Sequence, residues 1–395
     1  MTIAFIQPEK FLRTKTHTNP FFDPIIGVLE DFNSHVGVEQ VDWCVWLPKA
    51  EMSLSGYPQT YVRSYSSFVA WRIVFWRGVH LLLPWIRVDR VCRWYGRLAR
   101  RFCSFWNHAD IIITVAGIFA DELQGMFPHK RIVDVQHGVI YSRHEGYFEK
   151  DGRLLKQYRD MPNREFWLYG QRYVDCFLRR SNLALDLDAR LKVIGDVLNA
   201  GSSVFVCPGS FANRNALVCM LQFNDSYPID ALLKMKELWE HWLDENRYII
   251  ESHGLKVLLR HHPRFDNVID FSDWCQKYPW AHVDSRSWDE VYDEATCCVG
   301  FNSTTILEAA GRGIPVVILD GKPIGTRSYF AETFIKDEFA YPFSELSLGD
   351  WLELDNVEKV HLSRMLMDWH QMFYMPFNPE NCRKLLKIDL KGDVK

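Results

Sequence analysis

The chain has 395 residues, of which 48% are hydrophobic and 24% charged, with a formal net charge of −4. That length accommodates two domains, each with its own core, and the composition is that of a globular protein. The acidic balance excludes a general nucleic-acid binder, and no apolar run reaches the roughly eighteen residues that a bilayer-spanning helix needs. Ten cysteines show no paired C-x-x-C spacing, and most lie in apolar runs, among them Cys44, Cys207, Cys219, Cys297 and Cys298. They predict buried free thiols in a reducing compartment, not a disulfide frame or a zinc site. The opening MTIAFIQPEKFLR is broken too soon by Pro8 and charge to be a signal peptide. The expected location is cytoplasmic, free or peripheral on the cytoplasmic face of a membrane.

In chain order, Ile3 to Ile6 and Val41 to Leu47 read as buried strands, with a helix around Pro24 to Phe32 between them. Further short apolar runs follow at Ala109 to Ala116, Arg131 to Gln136, Glu165 to Tyr169 and Leu191 to Ile194, separated by helical patterns such as Gln171 to Leu178. Strands alternating with helices predict a parallel sheet covered on both faces. A Gly/Ser/Pro/Asn-rich stretch from Asp196 to Asn215 breaks the rhythm and marks the domain boundary. The alternation then restarts. Ala216 to Gln222 reads as strand, Ile229 to Asn246 as helix, and Lys256 to Arg260 as strand. A helix near Phe271 to Lys277, a strand at Ala281 to Val283 and a helix at Trp288 to Ala295 come next. Cys297 to Asp320 reads as strand, hydroxyl-rich turn, short helix, glycine stop and strand, and a helical region from Val357 to Tyr374 closes the pattern. The predicted architecture is α/β: two Rossmann-like domains, 1–200 and 201–395, whose parallel sheets face a central cleft, with the final helix free to cross back to the first domain.

The stretch from Phe68 to Trp106 stands apart, with eight arginines against the single acid Asp89 and many interleaved aromatics. Arginine on one side of a helix and apolar residues on the other favour an anionic membrane interface, with Arg93, Trp94, Arg97 and Arg100 at its centre. The alternative is a pair of ordinary helices whose tryptophans pack on the sheet and whose arginines are solvated.

Ligands of open α/β sheets bind beyond the carboxyl ends of the strands. Three such ends in the second half are candidates: Leu221 to Ser226, Arg260-His261-His262-Pro263-Arg264, and Asn302-Ser303-Thr304-Thr305 with Glu308. A histidine before proline is held extended, so His262 with Arg260 or Arg264 can bind or protonate a phosphate. Asn302 to Thr305 sit where free backbone N–H groups of a helix start suit a phosphate, and Glu308 can reach a sugar hydroxyl. In the first half, Asp134-Val135-Gln136-His137-Gly138 ends a strand, so His137 or Asp134 can deprotonate an acceptor hydroxyl. His144 and Glu145 follow closely.

His262-Pro263, the Ser303-Thr304-Thr305 turn, Glu308 and Gly313-x-Pro315 together resemble bacterial surface-polysaccharide glycosyltransferases of the GT-B type. The resemblance is to those that use CMP-activated sialic acid or 3-deoxy-manno-octulosonic acid (Kdo) in capsule, lipopolysaccharide and O-antigen synthesis. It implies that the histidine–proline and Ser/Thr elements hold the donor nucleotide phosphate. LQFNDS, with Asp225, looks like the acidic segment of retaining Kdo transferases, and His261-His262 replaces the usual single histidine. The implied activity is transfer of an acidic sugar from a CMP donor to a polysaccharide or glycolipid acceptor at the inner-membrane surface. No metal and no cofactor beyond the nucleotide-sugar substrate is expected. If Asp225 is a nucleophile the reaction retains configuration; if His137 is the base it inverts. A UDP-sugar epimerase or hydrolase, and a membrane-docked scaffold, are the competing readings.

Overall fold

The computed structural model describes residues 1–7, 18–35, 41–53, 55–101, 107–115, 117–141, 147–149, 151–159, 163–180, 184–200, 210–221, 229–261, 270–301, 305–319 and 339–387. The chain forms two compact units, one of residues 1–202 and 374–395, the other of residues 203–373.

In the first unit, strands β1 (Thr2–Ile6), β2 (Asp42–Leu47), β3 (Val62–Ser64), β4 (Ile111–Val115), β5 (Arg131–Val135), β6 (Arg164–Leu168) and β7 (Leu191–Val193) form one sheet. Their order is β3-β2-β1-β4-β5-β6-β7, and every pairing is parallel. Strand β4, with the sequence IIITV, is buried at every position, as expected where helices cover both faces. Helices α1 (Asp23–His35), α2 (Lys49–Met52), α3 (Ser66–Leu82), α4 (Val88–Ala99), α5 (Ala120–Met126) and α6 (Gln171–Arg180) lie between the strands in sequence. One core joins the sheet to α3, α4 and α5 through Ala4, Ile112, Phe68, Tyr95 and Leu123. No helix among the described residues is long and apolar enough to cross a membrane.

The second unit holds a five-stranded parallel sheet in the order β10-β9-β8-β11-β12. Its strands are β8 (Ala216–Met220), β9 (Lys256–Arg260), β10 (Ala281–Val283), β11 (Ala295–Gly300) and β12 (Val316–Ile318). Its helices include α7 (Ile229–Glu245), α8 (Trp288–Glu294), α9 (Thr305–Gly311) and α10 (Asn356–Gln371). Trp239, Trp274 and Trp351 fill the core against Leu217, Val257 and Val299. The predicted glycine stop is a Schellman cap: Gly313 N–H bonds Ala310 O at 2.9 Å and Ile314 N–H bonds Ala309 O at 2.9 Å. Gly313 takes the positive φ of 68° that this cap requires.

Two elements depart from the sequence reading. The helical region ends at Gln371, and a further helix, α11 (Pro379–Leu386), follows it within the first unit. Asn378 N–H bonds Ile194 O at 3.1 Å, and the Asn381 side-chain amide bonds Val193 O at 2.6 Å, so the end of the chain finishes the β7 edge. The short strand β3 was also not anticipated; three residues at a sheet edge carry too little pattern to read. The eight described cysteines are free thiols, all buried except the half-buried Cys275; Cys103 and Cys207 lie outside the described residues.

His370 on α10 is buried against Gly311 of α9, and burial pushes its imidazole down to about 4. A histidine held neutral in the fold but free to protonate when unfolded makes stability fall as pH drops from about 6.5 towards 4. The full loss is on the order of 3 kcal/mol for this group. Chemical denaturation of the second unit at stepped pH is expected to show this slope, and His370→Leu is expected to flatten it. An unchanged slope in the variant would assign the acid sensitivity to other groups.

Candidate active site

The three predicted strand ends of the second unit lie side by side. Met220 of β8 pairs with Arg260 of β9 on one side and with Gly300 of β11 on the other. Their carboxyl ends therefore lead from one sheet edge into the segments singled out in the sequence. Thr305 opens α9, and its hydroxyl reaches Met220 Sδ at 3.2 Å, tying the helix start to the end of β8. Glu308, in the first turn of the same helix, is exposed. His261 follows β9 directly, is half-buried, and sets its ring 4.9 Å from that of Phe271. His262, Arg264, Asn302, Ser303, Thr304 and Asp225 lie outside the described residues.

Arg260 is placed differently from the expectation that it meets a phosphate. Its guanidinium is buried, bonds Asp284 Oδ1 at 2.7 Å and Asp284 O at 3.0 Å, and stacks 4.5 Å from the Trp288 ring. Burial tends to raise the Asp284 carboxyl, but hydrogen bonds from Arg286 and attraction to both arginines hold it below its usual range. Arg260 thus braces the ends of β9 and β10 from within. Asp284 and Trp288 were not legible as its partners, since nothing in the spacing of the three residues announces the contact.

In the first unit, Asp134 and His137 part company. Asp134 is buried on β5 and forms an ion pair with Arg164 of β6 at 2.7 Å, both side chains fully shielded from solvent. It also accepts the Gly117 N–H at 3.0 Å. Burial pushes its carboxyl above the usual range, against the pull of Arg164, Gly117 and Thr114. A carboxylate enclosed in this way is a structural counter-ion, which corrects its reading as an acceptor base. His137 instead is half-exposed beyond the end of β5, with its ring 5.4 Å from Phe21 in the segment after β1. The turn behind it is fixed. Gln136 Nε2 bonds Gly138 O at 2.6 Å, the Tyr169 hydroxyl bonds Gln136 O at 2.8 Å, and Gly138 takes a positive φ of 77°. The sheet order reverses between β1 and β4, so the carboxyl ends of those two strands form a topological switch point, the usual place for a ligand, and β5 is the next strand over. His144 and Glu145 lie outside the described residues.

Of the arginines in the basic aromatic segment, two are tied to helix α5. Arg72 pairs with the buried Glu122, and Arg93 pairs with Asp89 at 2.6 Å and bonds Gln124 at 3.3 Å. Arg93 is therefore a bracket between α4 and α5 more than a free surface cation, a second correction. Arg77, Arg90, Arg97, Arg100 and Arg101 are exposed and form no ion pair with another described residue. Trp94 is 39% exposed beside them.

No protein-family model matches the sequence, and no curated protein matches it. Among solved structures, the chain is similar to the UDP-GlcNAc 2-epimerase from Methanocaldococcus jannaschii, with 12% identity, 98% of this chain and 99% of that one covered, and a TM-score of 0.50. It is similar to the glycosyltransferase SnogD from Streptomyces nogalater, with 13% identity, coverage of 98% and 99%, and a TM-score of 0.50. The spinosyn rhamnosyltransferase SpnG, complexed with spinosyn aglycone, matches at 14% identity over 97% and 99%, also with a TM-score of 0.50. At such identities the likeness defines the fold: two Rossmann-like units, as the alternation of strands and helices predicted, of the GT-B type that the motif resemblance implied.

Proposed function

We propose that the protein is a GT-B glycosyltransferase that binds a nucleotide-sugar donor on its second unit and an acceptor on its first. The observation that carries this reading is the shared sheet edge of β8, β9 and β11, where Met220, Arg260 and Gly300 stand side by side at the ends of their strands. A donor phosphate is assigned to His261-His262 and the turn ending in Thr305, and a sugar hydroxyl to Glu308. The donor class is a CMP-activated acidic sugar, on the strength of the His262-Pro263 and Ser303-Thr304-Thr305 motifs. His137 is assigned as the acceptor base, because it is half-exposed beyond a strand end while Asp134 is fully buried. The exposed face of α3 and α4 would hold the enzyme on an anionic membrane surface, where a glycolipid acceptor is found.

Calorimetry with free nucleotides tests the donor half. CMP or CDP is expected to bind more tightly than UMP or UDP, and His262→Ala to weaken binding by about 1.5–3 kcal/mol, a charge-assisted hydrogen bond. If His261→Ala causes the loss instead, the phosphate contact moves to that neighbour. A preference for UDP, with UDP-N-acetylglucosamine altered in the absence of any acceptor, would replace the transferase reading with that of an epimerase or hydrolase.

A further inference from the structure

Exposed large apolar side chains are concentrated in one place. Of 21 among the described residues, ten fall between Trp71 and Leu98. Helix α3 carries apolar residues all round, yet Phe68 is its one buried residue; a helix of that composition is ordinarily enclosed. Between α3 and α4 runs a groove of about 570 Å³ lined by Phe68, Trp71, Val74, Phe75, Tyr95 and Leu98. Such a volume falls in the range of roughly 300–1,000 Å³ usual for small-molecule sites. Its floor is firm, because the Tyr95 hydroxyl donates to Phe68 O and the Phe68 and Phe75 rings pack at 5.1 and 5.6 Å from that of Tyr95.

The other side of α4 is cationic. Arg90, Trp94 and Arg97 recur at four- and three-residue steps and so share one face of the helix. Arg90 and Arg97 border a second pocket of about 530 Å³, with Arg93, Trp94, Gln124 and Gly125. Arg93 is already engaged by Asp89, which leaves Arg90 and Arg97 as the cations open to a ligand. Helix α4 is thus the common wall of an apolar groove and a basic pocket, with exposed Trp94 and Leu98 between them. The two halves of this surface call for the two halves of one amphiphile: a hydrocarbon chain, and an anion that guanidinium groups can grip in a fork.

We propose that α3 and α4 form a site for a single long-chain phosphate ester, its chain in the groove and its phosphate on Arg90 and Arg97. As the anchor of the sugar acceptor this deepens, and rests on, the transferase reading; the binding itself does not depend on it. The test uses the full chain and farnesyl phosphate kept below its micelle concentration, with inorganic phosphate and farnesol as single-half controls. Stoichiometric binding of farnesyl phosphate is expected, with each control weaker by about tenfold or more. An Arg90→Gln, Arg97→Gln double variant and, separately, a groove-filling Val74→Trp variant are each expected to lose about tenfold or more. Val74 is 60% exposed, so its replacement leaves the core untouched. Inorganic phosphate matching farnesyl phosphate, farnesol matching it, or binding insensitive to both variants would overturn the site. So would adherence to phosphatidylglycerol vesicles without binding of the monomer, which would make the surface a general membrane face. CMP titrated in parallel separates the two readings: failed lipid binding with intact nucleotide binding removes this inference alone, and the converse removes the transferase reading alone.

Discussion

Replacing His137 by alanine is expected to lower turnover by about 10²–10⁴-fold, the usual worth of a general base, while nucleotide affinity at the second unit stays unchanged. The expectation rests on contrast within five residues. Asp134 has its carboxylate enclosed by Arg164, Gly117 and Thr114, so it has no route to an acceptor hydroxyl. His137 is carried past the end of the strand by a turn that Gln136 and Tyr169 lock in place, and it is half-exposed one strand from the switch point of the sheet. A base held by a rigid turn loses little orientation entropy on reaching the transition state, which is why a fixed strand end is a good place for one. The competing nucleophile, Asp225, makes the opposite forecast. If Asp225→Asn is dead, His137→Ala is active, and intact-mass spectrometry traps a sugar on the peptide containing Asp225, the reaction retains configuration and His137 is not the base.

The buried ion pair supplies the second large effect, on stability. Arg164→Met is expected to cost about 3–5 kcal/mol, because it leaves the Asp134 carboxyl buried without its cation. Arg164 also stacks 4.6 Å from the Tyr158 ring, so methionine keeps part of the packing while removing the charge. For a unit of this size the midpoint of thermal unfolding falls by roughly 10 °C. Adding Asp134→Asn to the variant is expected to recover a good part of the loss, since the double change removes the stranded charge along with its partner. A single variant that melts with the wild type would mean that water or another group satisfies Asp134. Nucleotide affinity, which the proposed function assigns to the other unit, serves as the control.

What could be read from the sequence was what is local. The IIITV run of β4 and the Gly313 stop after α9 follow from neighbours a few residues apart, and both appear where the pattern put them. The ends of β8, β9 and β11 could be nominated as a site because parallel sheets place such ends on one edge. The partners of Arg260 and Asp134 could not be read, since Asp284 and Arg164 stand 24 and 30 residues away and only the packed sheet brings them close. In the sequence alone both charged residues read as contacts to a ligand, because no other partner is visible there. The basic aromatic stretch is intermediate. Its helices were legible, but apolar spacing alone cannot tell a face turned to a core from one turned to solvent, and α3 proves to be largely the latter.

The return of the chain to its first unit sets the order of folding against the order of synthesis. The ribosome releases residues 1–202 first, yet β7 still lacks the bonds from Asn378 and Asn381, and Gly195 still lacks Pro376, which would lie 2.2 Å from a Cβ there. At about 5–20 residues per second, the remaining translation takes roughly 10–40 s. For that interval the nascent first unit carries an unfinished sheet edge, while the second unit, continuous in sequence, can complete itself as soon as residue 373 emerges. A nascent chain arrested just after residue 373 is therefore expected to leave the half it makes first unfinished, with the half made later already complete.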